Sequence, residues 1–278
     1  MRHTRFLTKD SVEIAVQEAG NPSGSEIVFI HGYSQCHLSW SHQMVGALAD
    51  EFRLVTYDIR GHGASGKPVA RRYYQDGKPW AEELSRLFDA MDVRRPVVVA
   101  WSYAGRIIAD YLHAFGAGPI VGINLVGSKT RSDPAFVGKE NVFHQSRMAS
   151  ADIAENVAGT IGFLRTCAER WDAREFETHL AFNMLSPYYV REMLGGRSFD
   201  ADALYAALTI PLLFTHGACD RVVPIAASEA GHAIAPKSQL SIYEGVGHAP
   251  FLEAPGRFNA ELAAFVRMCN APLSGAGS

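Results

Sequence analysis

Long apolar runs, an excess of charge of one sign and clustered cysteines are all missing from this chain, and each absence removes a class of function. Nothing in its 278 residues approaches the roughly 20-residue apolar stretch of a membrane span. The opening Met1-Arg-His-Thr-Arg-Phe6 lacks the apolar core of a secretory signal, so a cytoplasmic location without a membrane partner is the expectation. Basic and acidic residues number 26 and 29, a net charge of −3, which argues against a nucleic-acid partner or any polyanion-binding surface. The four cysteines, Cys36, Cys167, Cys219 and Cys269, lie scattered without metal-ligand spacing. That excludes a disulfide framework and a zinc motif, suits a reducing compartment, and makes Cys219 a small packing residue rather than a nucleophile.

A further absence disposes of a cofactor. Gly61-His-Gly63-Ala-Ser-Gly66 fits the dinucleotide fingerprint G-x-G-x-x-G. No acidic residue follows at the spacing that ribose binding needs, about 20 positions on, and Lys67-Pro-Val-Ala-Arg-Arg72 does not open a helix. The segment reads as a glycine turn, and neither an organic cofactor nor a metal is expected.

What the chain does have is a regular alternation of elements. Strands are expected near 4–8, 12–18, 26–30, 53–57, 96–101, 120–126, 211–216 and 239–243, the first two as a hairpin; helices fit near 39–50, 80–91, 103–116, 225–235 and 256–269. With 47% hydrophobic residues, this predicts an α/β fold: a mostly parallel, eight-stranded sheet covered by helices on both faces. Residues 129–208 break the alternation with helical patterns and no convincing strand. They are too long for an unstructured connection and read as a helical cap over a core of 1–128 and 209–270, with 271–278 a flexible tail.

The chemistry centres on Val97-Val-Val-Ala-Trp-Ser102-Tyr-Ala-Gly105. An apolar strand ends at a serine between small residues and a helix begins at once, the layout of a nucleophile elbow. Ala100 and Ala104 stand where G-x-S-x-G has glycines, so the motif alone equally fits an ordinary N-cap serine. Its context favours a nucleophile. The loop His31-Gly32-Tyr33 after the strand 26–30 is placed to supply the backbone N–H of Tyr33, beside that of Tyr103, as an oxyanion hole. Losing one such donor typically costs roughly 100- to 1,000-fold in rate. His248, in Glu244-Gly-Val-Gly-His248, is projected from a glycine-flanked loop at a strand end and is the candidate general base; His31 and His216, its rivals, read as turn residues. Asp220, in the loop after the strand 211–216, is the candidate acid that orients His248.

The order Ser102, Asp220, His248, together with His31-Gly32-Tyr33 and Asp58-Ile-Arg60-Gly61-His62-Gly63-Ala-Ser65, resembles the α/β-hydrolase superfamily, in its esterase, lactonase and cofactor-free haloperoxidase branch. The resemblance spans roughly residues 26–128 and 211–270 and implies the α/β-hydrolase fold and acyl transfer from an ester or lactone to water through an acyl-enzyme. A serine at the elbow argues against the dehalogenase and epoxide hydrolase branches, which use aspartate there. C–C bond hydrolysis, cofactor-free perhydrolysis and amide cleavage on the same triad stay open, as does a non-turnover receptor of the same fold. Gly32, Trp101, Phe143, Tyr188 and Val222 are the candidate pocket residues for a small-molecule substrate, with a monomer or homodimer expected; Lys129 and Arg131 leave the strand end near the site but read as a solvated edge.

Overall fold

Two short strands, apolar at every position but Glu26, show why this sheet must be covered on both faces. In β3 (Glu26–Ile30) and β5 (Val97–Trp101), Val28, Ile30, Val98 and Ala100 point into one apolar cluster, while Ile27, Phe29, Val97, Val99 and Trp101 point into another. Successive side chains alternate across a strand, so both faces are buried and each needs a layer of helices.

The computed structural model describes residues 1–271; the last seven residues, most of the tail expected to be flexible, lie outside the described part. The remaining strands are β1 (Arg2–Leu7), β2 (Glu13–Gly20), β4 (Arg53–Tyr57), β6 (Gly122–Val126), β7 (Leu212–Gly217) and β8 (Ser238–Tyr243). They form one eight-stranded sheet in the order β1-β2-β4-β3-β5-β6-β7-β8. β1 and β2 are the antiparallel hairpin, β2 pairs antiparallel with β4, and the others pair in parallel. The first helix, expected over 39–50, is broken: a 3-10 turn at His37–Trp40 is followed, past Gly46 at φ 69°, by α1 (Ala47–Glu51). α2 (Gly77–Ala90) and α3 (Ala104–Phe115) follow β4 and β5.

Between β6 and β7 stand α4 (Lys139–Met148), α5 (Ile153–Cys167), α6 (Ala173–Asn183), α7 (Tyr188–Leu194) and α8 (Asp202–Ala206). α9 (Ala226–Ile234), α10 (Pro250–Glu253) and α11 (Pro255–Asn270) complete the chain. Asp152 and Asp172 cap α5 and α6, each accepting from two first-turn amides, which relieves donors that a helix cannot satisfy internally. No helix among the described residues is long and apolar enough to cross a membrane.

The segment that matched a dinucleotide fingerprint wraps a carboxylate. Asp58 accepts from the amides of His37 and Ala64 and from the His37 ring, and a side chain at Gly63 would come within 2.2 Å of Asp58 Oδ2. The adjacent turns are locked by two buried histidines. His31 accepts at Nε2 from the Ile59 amide (3.1 Å) and donates from Nδ1 to Gly32 O (2.9 Å); His62 accepts from the Ser34 amide (3.0 Å) and donates to Arg60 O (3.0 Å). An imidazole that donates and accepts at once is neutral. Burial pushes His31 down to about 4, against the raising effect of Asp58, and pushes His62 down to about 3.

Both rings therefore hold fewer protons folded than unfolded at mildly acid pH, and stability falls as pH drops from the unfolded value near 6.5 towards about 4. Unfolding free energies from urea titrations between these limits are expected to fall with a slope of up to about 1.4 kcal/mol per pH unit for each ring. A flat profile between about pH 6.5 and 5 would refute neutral, buried His31 and His62.

Candidate active site

Ser102 occupies the turn between the end of β5 and the start of α3. Its φ is 56°, in the left-handed region that a residue with a side chain seldom enters, at a cost of about 1–3 kcal/mol. The bend is pinned on both sides. The Ser102 amide donates to Val126 O of β6 at 2.8 Å, and its carbonyl accepts from Ser128 Oγ (2.7 Å) and the Gly105 amide (3.0 Å). Ala100 and Ala104 are fully buried in this turn, but the glycine it demands is Gly105, where a Cβ would lie 2.0 Å from Ser128 Oγ.

The loop after β3 runs directly against this bend. A Cβ on Gly32 would lie 3.2 Å from Ser102 Cβ and 3.3 Å from Trp101 O, so Gly32 permits the approach. Neither the Tyr33 nor the Tyr103 amide donates a hydrogen bond among the described residues, leaving two backbone donors beside Ser102.

His248 and Asp220 meet at the ends of the neighbouring strands. Asp220 lies in the loop after β7 and His248 in the loop after β8; His248 Nδ1 lies 2.7 Å from Asp220 Oδ2. The carboxylate is saturated: Oδ1 accepts from the amides of Val222 (2.8 Å) and Val223 (2.9 Å), and His216 Nε2 lies 3.1 Å from Oδ2. Burial alone would raise the Asp220 carboxyl. The adjacent His248 charge and hydrogen bonds from His216 and His248 outweigh it and hold the group well below the usual carboxylate range. His216 is more than the turn residue its His-Gly pair suggests, since it also contacts Ser228 Oγ (2.6 Å) and Val223 O (2.8 Å) and so braces the acid. His248 packs against Gly127, where a Cβ would come within 2.9 Å of Nδ1. Thus the end of β6 carries both the Val126 carbonyl that holds Ser102 and the glycine that admits His248.

Trp101 does not line the cavity above Ser102. It is 3% exposed, packs edge-on against Trp40 and Phe251, and donates from Nε1 to His248 O at 2.9 Å, which fixes the histidine loop from below. Strand alternation explains the correction: Trp101 follows Ala100 on the opposite face of β5. Phe143 and Tyr188 are 59% and 42% exposed and lie outside the lining of the cavity above Ser102. Cys219 is exposed rather than packed.

That cavity measures about 410 Å³ and is bounded by Ser102, Tyr33, Tyr103 and Val222 from the core and by α4 and α7 above. Lys129 and Arg106 also face it, so Lys129 is not a purely solvated edge. Cys36, His37 and Asp58 place ligand atoms within 4.8 Å of one another, yet they make a poor metal site. The Asp58 carboxylate is already occupied, and burial pushes the Cys36 thiol well up, away from the thiolate.

The model of the alpha/beta hydrolase family matches residues 27–261. The chain belongs to that family. It is 26% identical to a non-heme chloroperoxidase of Streptomyces lividans, over 94% of this chain and 98% of that protein. A crystal structure of a Burkholderia cenocepacia protein assigned as an aryl esterase is 36% identical and superposes with a TM-score of 0.92, covering 96% of this chain and 99% of that one. An esterase from Rhodococcus sp. ECU1013 is 30% identical with a TM-score of 0.92, covering 97% of this chain and all of that one.

Gly105→Ala is expected to displace Ser128 from the Ser102 carbonyl and to cost about 1–3 kcal/mol of stability. Removing the obstructing hydroxyl in Gly105→Ala/Ser128→Ala should recover part of that loss. Additive losses in a denaturant double-mutant cycle would show that the two residues do not meet.

Proposed function

We propose that this α/β hydrolase is a serine esterase working through Ser102, His248 and Asp220. The observation that carries the reading is the grouping, at the carboxyl ends of adjoining strands, of a strained serine, two undonated amides and a histidine held by a saturated carboxylate. Ser102 Oγ attacks the ester carbonyl as His248 takes its proton, and the Tyr33 and Tyr103 amides hold the oxyanion. His248 then protonates the departing alcohol and takes a proton from the water that opens the acyl-enzyme, returning Ser102 Oγ its own. Asp220 fixes the Nδ1–H tautomer and stabilises the imidazolium without being protonated itself.

The helical insertion 129–208 acts as a cap. Its α4 and α7 roof the cavity, and buried Arg191 ties it to the oxyanion loop through Ser34 Oγ (3.0 Å) while also donating to Asn156 Oδ1 (2.6 Å) and Thr160 Oγ1 (3.1 Å). Similarity to a chloroperoxidase favours one variant on the same acyl-enzyme: hydrogen peroxide in place of water as acceptor, releasing a peracid.

A fluorophosphonate probe followed by peptide mass spectrometry tests the nucleophile. Labelling confined to Ser102, lost in Ser102→Ala along with ester turnover, is the expected result; a folded protein that takes no label refutes the reading. Asp220→Asn is expected to lower kcat by orders of magnitude through the wrong imidazole tautomer. A change of only a few fold, read from steady-state kinetics, would assign the orienting acid elsewhere.

A further inference from the structure

Two cations in the cavity wall have no carboxylate of their own. Arg106 lies in the first turn of α3, and Lys129 follows Ser128 in the loop leaving β6; both are half-buried and face the cavity that opens on Ser102. The Arg106 guanidinium donates to the Arg197 carbonyl and lies over the rings of Tyr103 and Phe199, 5.5 and 5.1 Å from their centroids. Lys129 Nζ makes no hydrogen bond and no ion pair with the described residues. The acids nearby are engaged: Asp110 with Arg197, Asp133 and Asp202 with Arg131. Across the cavity, α7 brings Arg191, whose partners are all neutral, and Glu192, which pairs with Arg71 at 2.8 Å.

Two cations withdrawn from water elsewhere in the chain are given acids. Arg60 is paired with Asp10 and Glu83, and Arg53 with Glu18 and Glu26. The cavity wall departs from that practice, with Arg106, Lys129 and Arg191 set against a single, already paired carboxylate. Neighbouring cations withdrawn from water are unfavourable until an anion joins them. Burial, aided by Arg106, lowers the Lys129 ammonium to about 8, against the raising effect of Asp133.

We propose that the substrate supplies the missing anion: the site takes an ester that carries a free carboxylate, the half-ester of a small dicarboxylic acid, with its ester carbonyl at Ser102 and its carboxylate between Lys129 and Arg106. This substrate class rests on the esterase reading. Water replaces the alkoxy group, so the products are an alcohol and a dicarboxylate. Arg106 offers a planar fork to the carboxylate and Lys129 a point charge, while the apolar wall of Val222, Val223 and Phe136 takes the chain between the two ends.

The test compares monomethyl glutarate with methyl pentanoate, which has the same chain length without the charge, by kcat/KM in a pH-stat at neutral pH. Wild type is expected to prefer the charged ester by roughly tenfold or more, Lys129→Met to lose that preference, and Lys129→Glu to invert it. Because each ratio is taken within one protein, a general loss of activity cancels. A wild-type ratio at or below one, or a ratio unmoved in both Lys129→Met and Arg106→Gln, overturns the proposal. Failure of the esterase reading shows separately, as absence of fluorophosphonate labelling and of turnover on both esters. In that case calorimetric titration with glutarate still decides: affinity weakened roughly tenfold in Lys129→Met, and falling in wild type as pH rises through about 8, upholds the anion site. Equal affinity in both proteins, or no measurable binding to either, overturns it.

Discussion

The left-handed conformation of Ser102 is the constraint around which the rest of the site is arranged. A strained backbone persists only where its surroundings over-determine it, and here each support comes from a different element. β6 contributes the Val126 carbonyl, the following loop contributes Ser128, and the first turn of α3 contributes the glycine that lets Ser128 close in. Gly32 completes the set by letting the loop after β3 run close against the Ser102 side chain. Strand pairing of β3, β5 and β6 therefore does more than build a core. It brings the ends of these strands into register, so that the turns leaving them meet.

Electrostatics divide the site into parts treated in opposite ways. The structural histidines His31 and His62 are sealed in and kept neutral, so that each can tie two backbone segments together. Asp220 is equally buried but keeps its charge, because two amides and two imidazoles replace the water it lost. The cavity wall is different again. Arg106 and Lys129 lie half out of water without an acid, and Arg191 is fully enclosed with neutral acceptors only. Interior carboxylates are thus balanced within the protein, while the cavity cations are left open to whatever enters.

How far the sequence could be read depended on the range of the interactions involved. Ser102, Asp220 and His248 were each legible as candidates, because each follows a strand-like run and turns in small residues, a pattern visible within ten positions. The contact of His248 with Asp220 was expected from their order in the chain. The bracing of Asp220 by His216 was not legible: a His-Gly pair after a strand gives no sign of which neighbour the ring will reach. Trp101 was misplaced for a simpler reason, since alternation along β5 already put it on the face opposite Ala100. Phe143 and Tyr188 are aromatic residues of short helices, and nothing local reveals which side of such a helix meets the core. The expected helix over 39–50 failed at Gly46, where a positive φ breaks the turn.

By itself the sequence determined the sheet, most of the helices that cover it and the loops that carry Ser102, Asp220 and His248, because hydrophobic periodicity and glycine placement act over a few residues. Only the tertiary structure decided which glycine the elbow needs, which histidine braces the acid, and which cations are left without partners. Those outcomes depend on close approach between segments far apart in the chain, such as Gly105 with Ser128 or Arg191 with Ser34, where a few tenths of an ångström separate a contact from a clash.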